Sequence, residues 1–271
     1  MASDTKLDIV VVAYKSAEDL DALLRDFPKM TRMPYKLHLR DNSDNAMTLT
    51  HAWNELARAG SSEFIAFLNT DIRISPCWDS RMADALIAHP EIGVIQARPV
   101  GHDWPNLADP TKDAFPLSNT FIPAPDPASM TIISEKVEKD NSLHPFPNCN
   151  APFYAVMLRR VHWEALKGFD ERLRFYGQDH DFQRRILKRF GLLTAKVNNA
   201  AIWHRCAGSV RKAAGHVDLG AEMHHCGKTS GFLVCGALKE WDLLTDQERH
   251  KILVDPKFCQ MPIFRQENTL G

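Results

Sequence analysis

Short apolar runs and amphipathic segments alternate along the first part of the chain. Residues 8–14 form a continuous β-branched run, which is typical of a strand buried on both faces of a parallel sheet. Leucine and phenylalanine then recur at helical spacing between Ser16 and Pro28. The same alternation predicts strands at 36–40, 64–68 and 92–96, with helices around Leu49–Leu56 and Trp78–Leu86 between them. This pattern predicts an α/β fold with a mostly parallel central sheet flanked by helices.

The proline content changes after residue 98. Nine of the 16 prolines lie between Pro99 and Pro147, in a stretch with little apolar periodicity, which predicts long loops over 99–150. Regular patterns return with an apolar run at 151–160 and continue through a helix that ends at Gly191. We therefore expect one domain over 1–212, made of the halves 1–98 and 151–212 around these loops, and a carboxy-terminal extension over 213–271.

The charge balance excludes a general attraction to nucleic acid or to an anionic membrane. The chain has 33 Lys and Arg against 34 Asp and Glu, a formal net charge of −1. It has no run of 18 apolar residues, and its first residues lack the apolar core of a signal peptide, so we expect a cytoplasmic protein without a transmembrane segment. Its six cysteines have no framework spacing, which favours reduced thiols.

Polar residues follow three of the predicted strands. They are Ala13-Tyr14-Lys15, Asp41-Asn42-Ser43 and Asn69-Thr70-Asp71. Because the carboxyl ends of parallel strands meet at one edge of a sheet, we expect these segments to lie close together and to form a ligand site. Polar loops are also common without any function, and this pattern alone leaves both interpretations open.

A second candidate site lies at the start of the helix that ends at Gly191. Gln178, Asp179 and His180 precede an apolar helical face that includes Phe182. A carboxylate in the first turn stays ionised, because the helix dipole and the unpaired amide groups favour the anion. Such carboxylates are often simple helix caps, so the spacing by itself does not decide between a cap and a catalytic group.

The sequence around these residues resembles that of the family 2 inverting glycosyltransferases of the GT-A fold. Gly-Phe-Asp-Glu at 168–171, an aromatic pair at 175–176 and an acidic position at Asp179 ahead of an Arg resemble the acceptor side of that family. The segments 13–15, 41–43 and 69–71 resemble its nucleotide-sugar side. The resemblance extends over about residues 7–210, with the motifs in the family's order.

This resemblance implies a role for each matching residue. Asp179 is the general base that takes the acceptor proton, and Gln178, where the family usually has Glu, orients a hydroxyl group. Asp71 binds the cation, with Asn69 in the first position of the Asp-X-Asp motif, and His204 completes the metal shell. Arg205 and Arg211, like Gln178, are candidate contacts of the diphosphate or the acceptor. The implied nucleotide-sugar contacts are Ala13, Tyr14, Lys15, Asp41, Asn54, Asn69, Thr70 and Asp71.

The expected activity is transfer of a sugar from a nucleotide-diphospho sugar to an acceptor hydroxyl with inversion. The hard oxygen ligands of a diphosphate and of Asp71 favour Mn²⁺ or Mg²⁺ as the cofactor. A glycan is the favoured acceptor, with protein or modified nucleic acid as alternatives, and the chain is a candidate homo-oligomer. A catalytically inactive nucleotide-sugar-binding protein is the alternative function, supported by Gln178 and Asn69 standing where carboxylates are commoner.

Two further alternatives come from other parts of the chain. A nucleotidyltransferase shares the architecture but usually has a glycine-rich loop after its first strand, and residues 12–16 contain no glycine. A structural zinc site is conceivable near the carboxy terminus, but the spacing fits no strong template. Its residues would be His204, Cys206, His216, His224, His225 and Cys226.

Overall fold

A computed structural model of the 271-residue chain describes residues 6–44, 46–100, 124–146, 151–173 and 177–205. Its strands are β1 (Leu7–Ala13), β2 (Tyr35–Asp41), β3 (Phe64–Leu68), β4 (Ile72–Ile74), β5 (Ile92–Val100), β6 (Leu143–Pro145), β7 (Ala155–Arg159) and β8 (Leu193–His204). Its helices are α1 (Ala17–Met30), α2 (Leu49–Arg58), α3 (Trp78–Ala88), α4 (Pro127–Val137), α5 (Arg160–Ala165) and α6 (Gln178–Phe190). The described ranges confirm the predicted α/β fold.

The eight strands of the described ranges form one mixed sheet. Its order is β2-β1-β3-β7-β5-β8-β4, and β6 pairs with β8 outside this path. The pairs β1–β2, β1–β3 and β5–β8 are parallel, whereas β3–β7, β5–β7, β4–β8 and β6–β8 are antiparallel. Strands β2, β1, β3, β5 and β8 share one direction, so the sheet is mostly parallel as predicted, but it is mixed because β7, β4 and β6 run in the opposite direction.

The alternating side chains of the strands build one apolar layer on each face of the sheet. Strand residues such as Ile9 and Leu68 pack with Leu23 and Phe27 of α1 and with Trp78 of α3. The neighbouring residues on the same strands, which point to the opposite face, pack against the other helices. On that face Val10, Ile65 and Phe67 meet side chains of α2, α5 and α6. Helices therefore cover both faces of the sheet, which leaves the strand ends as the place for a ligand site.

Three elements differ from the expectation drawn from the sequence. Helix α1 continues past Pro28 to Met30, because a proline in the last turn removes only one backbone donor. Helix α4 and strand β6 lie within 99–150, where long loops were predicted. Proline opens α4 at its first position, and the side chain of Asp126 caps it by accepting from the Ser129 amide. Met130 and Ile133 of α4 pack against Trp203.

A buried charged network ties β1, β2 and α5 together. Asp8 Oδ1 lies 2.8 Å from His38 Nε2, and Asp8 Oδ2 accepts from Arg160 Nη2 at 2.7 Å and from the Ser62 amide at 2.8 Å. Arg160 also donates to the carbonyls of Ser62 and Ala57. Since Asp8 and Arg160 are both buried, each charge depends on the other for compensation.

Within the described ranges, no helix is both long and apolar enough to cross a lipid bilayer.

Candidate active site

The loops after β1 and β2 meet at one edge of the sheet, as predicted. Ala13 lies opposite Asp41 in the parallel register, and the Asn42 amide donates to the Ala13 carbonyl at 2.8 Å. The Lys15 amide donates to Ser43 Oγ at 2.8 Å, and Lys15 itself has a positive φ of 48°. These bonds hold the two loops together.

Asp41 presents an exposed carboxylate at this edge. Ser43 donates to its Oδ1 through both its hydroxyl, at 2.5 Å, and its amide, at 3.0 Å. The Ser43 hydroxyl bond and then the amide bond hold the pKa of Asp41 below its ordinary value, since both stabilise the anion. Asp41 therefore remains an ionised hydrogen-bond acceptor near neutral pH.

The segment after β3 is packed into the same edge. The Asn69 amide donates to the Tyr154 carbonyl at 2.9 Å, and Thr70 Oγ1 donates to Ser16 Oγ at 2.9 Å. Thr70 and Asp71 are buried, and Asn69 is partly exposed. The parallel register places Val11 of β1 opposite Leu68, so all three predicted segments follow neighbouring strand ends.

Asp71 and His204 lie side by side although they are far apart in sequence. Strand β4 pairs with β8 so that Ile72 is opposite His204, and this brings His204 Nε2 to 3.4 Å from Asp71 Oδ1. The imidazole stacks on the Tyr154 ring at 4.8 Å, which limits its rotation. Both side chains are largely buried, with exposed fractions of 4% for Asp71 and 11% for His204.

This pair has the chemistry of two neighbouring ligands of one divalent cation. A carboxylate oxygen and an imidazole nitrogen suit Mn²⁺, and adjacent ligands of such an ion lie roughly 3 Å apart, close to the observed separation. Among the described residues there is no group of three or more His, Cys, Asp or Glu side chains that could hold a metal. The pair therefore fits a shared site in which a bound ligand supplies further oxygens.

Arg205 lies next to this pair, and its guanidinium is held by Asp19 of α1. Arg205 Nη2 is 2.9 Å from Asp19 Oδ1, and Arg205 Nη1 donates to Oδ2 at 3.2 Å. The Arg205 amide also donates to the Asp71 carbonyl at 2.9 Å. Asp19 lies in the first turn of α1 and was not predicted as a site residue, because nothing in the sequence pattern indicates this long-range ion pair. The Arg205 guanidinium is thus fixed against Asp19, and the Arg205 backbone is fixed against Asp71.

The second candidate site is the start of α6. Gly177 precedes the helix with a φ of 79°, and Asp179 lies in the first turn with 17% of its side chain exposed. Its Oδ1 accepts from the His180 amide at 2.9 Å. Gln178 is only 6% exposed, and its Oε1 has no hydrogen-bond partner within the described part of the chain. A buried amide oxygen in this state favours a ligand that donates a hydrogen bond.

Gln183, one turn further along α6, fixes this helix start to the segment before β7. It is fully buried and exchanges two hydrogen bonds with the backbone of Ala151, at 3.1 and 2.7 Å. Its Nε2 also donates to the Asp179 carbonyl at 3.0 Å. Sequence patterns do not predict this contact, since a glutamine on a helix face is usually a surface residue.

Asn54 lies apart from the strand-end residues. It is fully buried in α2, and its side chain bonds to the turn at 168–171. Its Nδ2 donates to the Phe169 carbonyl at 2.8 Å and to Glu171 Oε1 at 3.0 Å, while its Oδ1 accepts from the Phe169 amide at 2.9 Å. The fold joins Asn54 to the Gly-Phe-Asp-Glu turn and not to the loops after β1, β2 and β3.

Several predicted features fall outside the described residues. Arg211, the aromatic pair at 175–176 and the extension over 213–271 with its histidines and cysteines are among them.

The chain shares its GT-A fold with solved structures of TarS from S. aureus. A structure of residues 1–349 of TarS from S. aureus in complex with UDP-GlcNAc matches with a TM-score of 0.54 and 12% identity, covering 92% of this chain and 70% of that chain. Another structure of the same TarS fragment matches with a TM-score of 0.50 and 10% identity, covering 92% and 69%. At such identities the likeness establishes the shared fold.

The sequence identifies the family. Residues 2–166, well over half of the 271 residues, match the family model described as glycosyl transferase family 2. The chain belongs to this family, and it is a glycosyltransferase. No curated protein matches the sequence.

Proposed function

We propose that this glycosyltransferase is a metal-dependent, inverting enzyme that moves a sugar from a nucleotide-diphospho sugar to an acceptor hydroxyl. The observation that carries the proposal is the approach of Asp71 Oδ1 and His204 Nε2 to 3.4 Å at the strand edge where the loops after β1 and β2 also meet. This arrangement offers two cation ligands next to a cradle of backbone and side-chain polar groups.

The sugar donor would bind across the strand edge. Candidate contacts are the residues already predicted there: Ala13, Tyr14, Lys15, Asp41, Asn69, Thr70 and Asp71. An ionised, exposed Asp41 is suited to accept hydrogen bonds from a base or a ribose. The TarS complex with UDP-GlcNAc, which has the same fold, supports a donor of the nucleotide-diphospho-sugar class.

Asp71 and His204 would hold Mn²⁺ or Mg²⁺. A bound divalent cation stabilises the negative charge that develops on the leaving diphosphate. Arg205, whose Nη2 lies 2.9 Å from Asp19 Oδ1 and whose amide donates to the Asp71 carbonyl, is the proposed second contact of the diphosphate. Its fixed position is favourable, because little rotamer freedom remains to be lost when the anion binds.

Asp179 is the proposed general base. It would take the proton of the acceptor hydroxyl while the hydroxyl oxygen forms its bond to the anomeric carbon and the bond from that carbon to the diphosphate oxygen breaks. Attack from the side opposite the leaving group inverts the configuration. Gln178 cannot accept this proton, but its Oε1, which has no partner among the described residues, can accept a hydrogen bond from a substrate hydroxyl. A glycan hydroxyl is the acceptor that we propose.

A thermal-shift panel tests this proposal. The probes are UDP-GlcNAc, UDP-glucose, GDP-mannose and dTDP-glucose, each with and without Mn²⁺, because a ligand of the folded state raises the melting temperature by mass action. We expect one nucleotide class to stabilise the wild type in a Mn²⁺-dependent manner, and Asp71→Asn to lose that shift.

Asp79→Asn is the matched control for this panel. Asp79, in the first turn of α3, is also a fully buried carboxylate. It accepts hydrogen bonds from the amides of Arg32 and Met33, which lie between α1 and β2. The control should lose stability and keep the Mn²⁺-dependent shift. Absence of any shift in the wild type, or a full shift in Asp71→Asn, would overturn the proposed donor and metal site.

A further inference from the structure

Asn54 is the centre of a contact between α2 and the turn that precedes α6. Its side-chain Nδ2 donates to the Phe169 carbonyl, and its Oδ1 accepts from the Phe169 amide. Glu171, two residues further on, receives Asn54 Nδ2, His51 Nδ1 at 3.0 Å and Arg58 Nη2 at 3.3 Å. One helix therefore fixes both the backbone of the turn and its carboxylate.

The turn is packed against Asn54 without space to move. Gly168 has a φ of 79°, and a Cβ at this position would lie 2.5 Å from Asn54 Oδ1. Phe169 is buried in an aromatic cluster, with its ring centroid 5.4 Å from Trp53 and 5.0 Å from Phe67. Trp53 directly precedes Asn54 in α2, so this helix contacts the turn through both an aromatic ring and a hydrogen-bonding amide.

The same turn is connected to α6 on its other side. Arg185 Nη1 donates to the carbonyls of Leu166 at 3.1 Å and Gly168 at 2.9 Å. The Phe169 ring lies 5.0 Å from the ring of Phe182. Phe182 and Arg185 belong to α6, the helix whose first turn carries Asp179. A continuous chain of contacts thus runs from Asn54 through the turn to α6.

We infer that Asn54 is a positioning residue, which sets the place of Asp179 relative to the strand edge by holding the turn at 168–171. The inference rests on the proposed role of Asp179 as the base. A displacement of about 1 Å in a reacting group can cost on the order of 10²-fold in rate, so a small shift of α6 would be sufficient to reduce turnover. Donor binding at the strand edge does not use this contact.

Asparagine is suited to this position because it offers one donor and one acceptor at nearly the same place. An aspartate would still accept from the Phe169 amide, but it would turn a second acceptor towards the Phe169 carbonyl and Glu171 Oε1. Two carboxylates at a separation near the observed 3.0 Å would repel each other. Asn54→Asp therefore replaces the donor of this contact by an acceptor with little change in side-chain volume.

The test is the Asn54→Asp variant, with nucleoside diphosphate release from the donor that stabilises the wild type in the Mn²⁺ panel. We expect kcat to fall by about 10- to 100-fold, while the Kd for the donor stays within about twofold. Adding Glu171→Gln should recover part of the lost kcat, because a glutamine amide can donate where the glutamate could only accept. If Asn54→Asp does not fold, Asn54→Ser, which adds no charge, allows the same comparison of kcat and donor Kd with the wild type.

Asp79→Asn again serves as the control, since it perturbs a fully buried hydrogen-bonding group on the opposite face of the sheet. It should lower the melting temperature and leave kcat near the wild-type value. Unchanged kcat in both Asn54 variants, a parallel loss of donor affinity, or an equal kcat loss in Asp79→Asn would each overturn the inference. A wild type that neither binds nor cleaves any of the four donors would instead overturn the proposed function on which it rests.

Discussion

Single side chains with restricted conformations define both halves of the site. His204 is held by stacking on Tyr154 at 4.8 Å, and this keeps its Nε2 towards Asp71. Gly168 accepts a left-handed backbone directly against Asn54. In each case the neighbouring groups leave the residue few alternative conformations. The site is therefore largely pre-organised at the residue scale.

Gly168 offers a residue-scale prediction about stability. Gly168→Ala would add the strain of a positive φ and a Cβ at 2.5 Å from Asn54 Oδ1 and 2.9 Å from the Trp163 ring. Gly191→Ala is the matched control, because Gly191 also has a positive φ of 69° but nothing within 4 Å of its Cβ position. We expect a loss of about 1 kcal/mol in the control and about 2–4 kcal/mol in Gly168→Ala.

Urea unfolding of the two glycine variants measures this difference in the free energy of unfolding. Equal losses in both would show that the packing around Gly168 adjusts to the new methyl group, and would contradict the tight contact between Asn54 and the turn.

The meeting of the strand-edge segments could be predicted from the sequence, whereas the contact of Asn54 with the turn at 168–171 could not. Polar residues after apolar strands follow from strand order alone, which is why 13–15, 41–43 and 69–71 meet as expected. Asn54 contacts Phe169 across 115 positions of sequence. No periodicity within α2 indicates which distant backbone its buried amide will meet.

At the scale of elements, the two halves of the candidate site come from different elements, the strand ends and helix α6. The parallel group β2-β1-β3 supplies the proposed donor edge, and the pairing of β4 with β8 adds His204 to it. Helix α6 packs on the face of the sheet that α2 also covers. The turn between α5 and α6 is the point at which these elements are joined. Because the proposed donor site lies on the strand ends and the proposed base lies on α6, substitutions should affect donor binding and turnover separately.

Strand directions and short elements were the part of the fold that the sequence did not predict. The apolar run at 151–160 indicated a strand but carries no information on its direction, and β7 proves antiparallel to both of its neighbours. Strand β4 has only three residues, too few for a period-two pattern to emerge. Yet β4 is the strand that brings His204 to Asp71, so a short element determines the proposed metal site.

At the scale of the whole molecule, the buried network of Asp8, His38 and Arg160 links strands β1 and β2 to helix α5. Burial by itself raises the pKa of Asp8, but the hydrogen bonds from His38 and the Ser62 amide and the charge of Arg160 outweigh it and hold this pKa below its ordinary value of 3.8. A lowered folded-state pKa means that the ionised carboxylate stabilises the fold above pH 3.8, and that this stabilisation is lost as the pH falls through the folded-state pKa.

Asp8→Asn tests this network through the pH dependence of stability. The variant keeps the shape of the side chain but leaves Arg160 without a buried counter-charge, which should cost about 3–5 kcal/mol near neutral pH. The difference from the wild type should become smaller towards pH 3, measured by urea unfolding at several pH values. Asp21→Asn on the exposed side of α1 is the control and should leave stability unchanged. A difference that stays constant over this pH range would contradict the electrostatic account.

The most direct test of the central claim is the turnover of Asp179→Asn, followed as nucleoside diphosphate release from the donor, together with the donor-induced thermal shift. The loss of a general base should lower turnover by roughly 10²–10⁴-fold, while donor binding and its dependence on Mn²⁺ remain as in the wild type. Asp71→Asn should show the opposite order of effects, with binding lost first. Near-normal turnover in Asp179→Asn would contradict the assignment of Asp179 as the base, and a parallel loss of donor binding would contradict the division of the site into a donor edge and an acceptor helix.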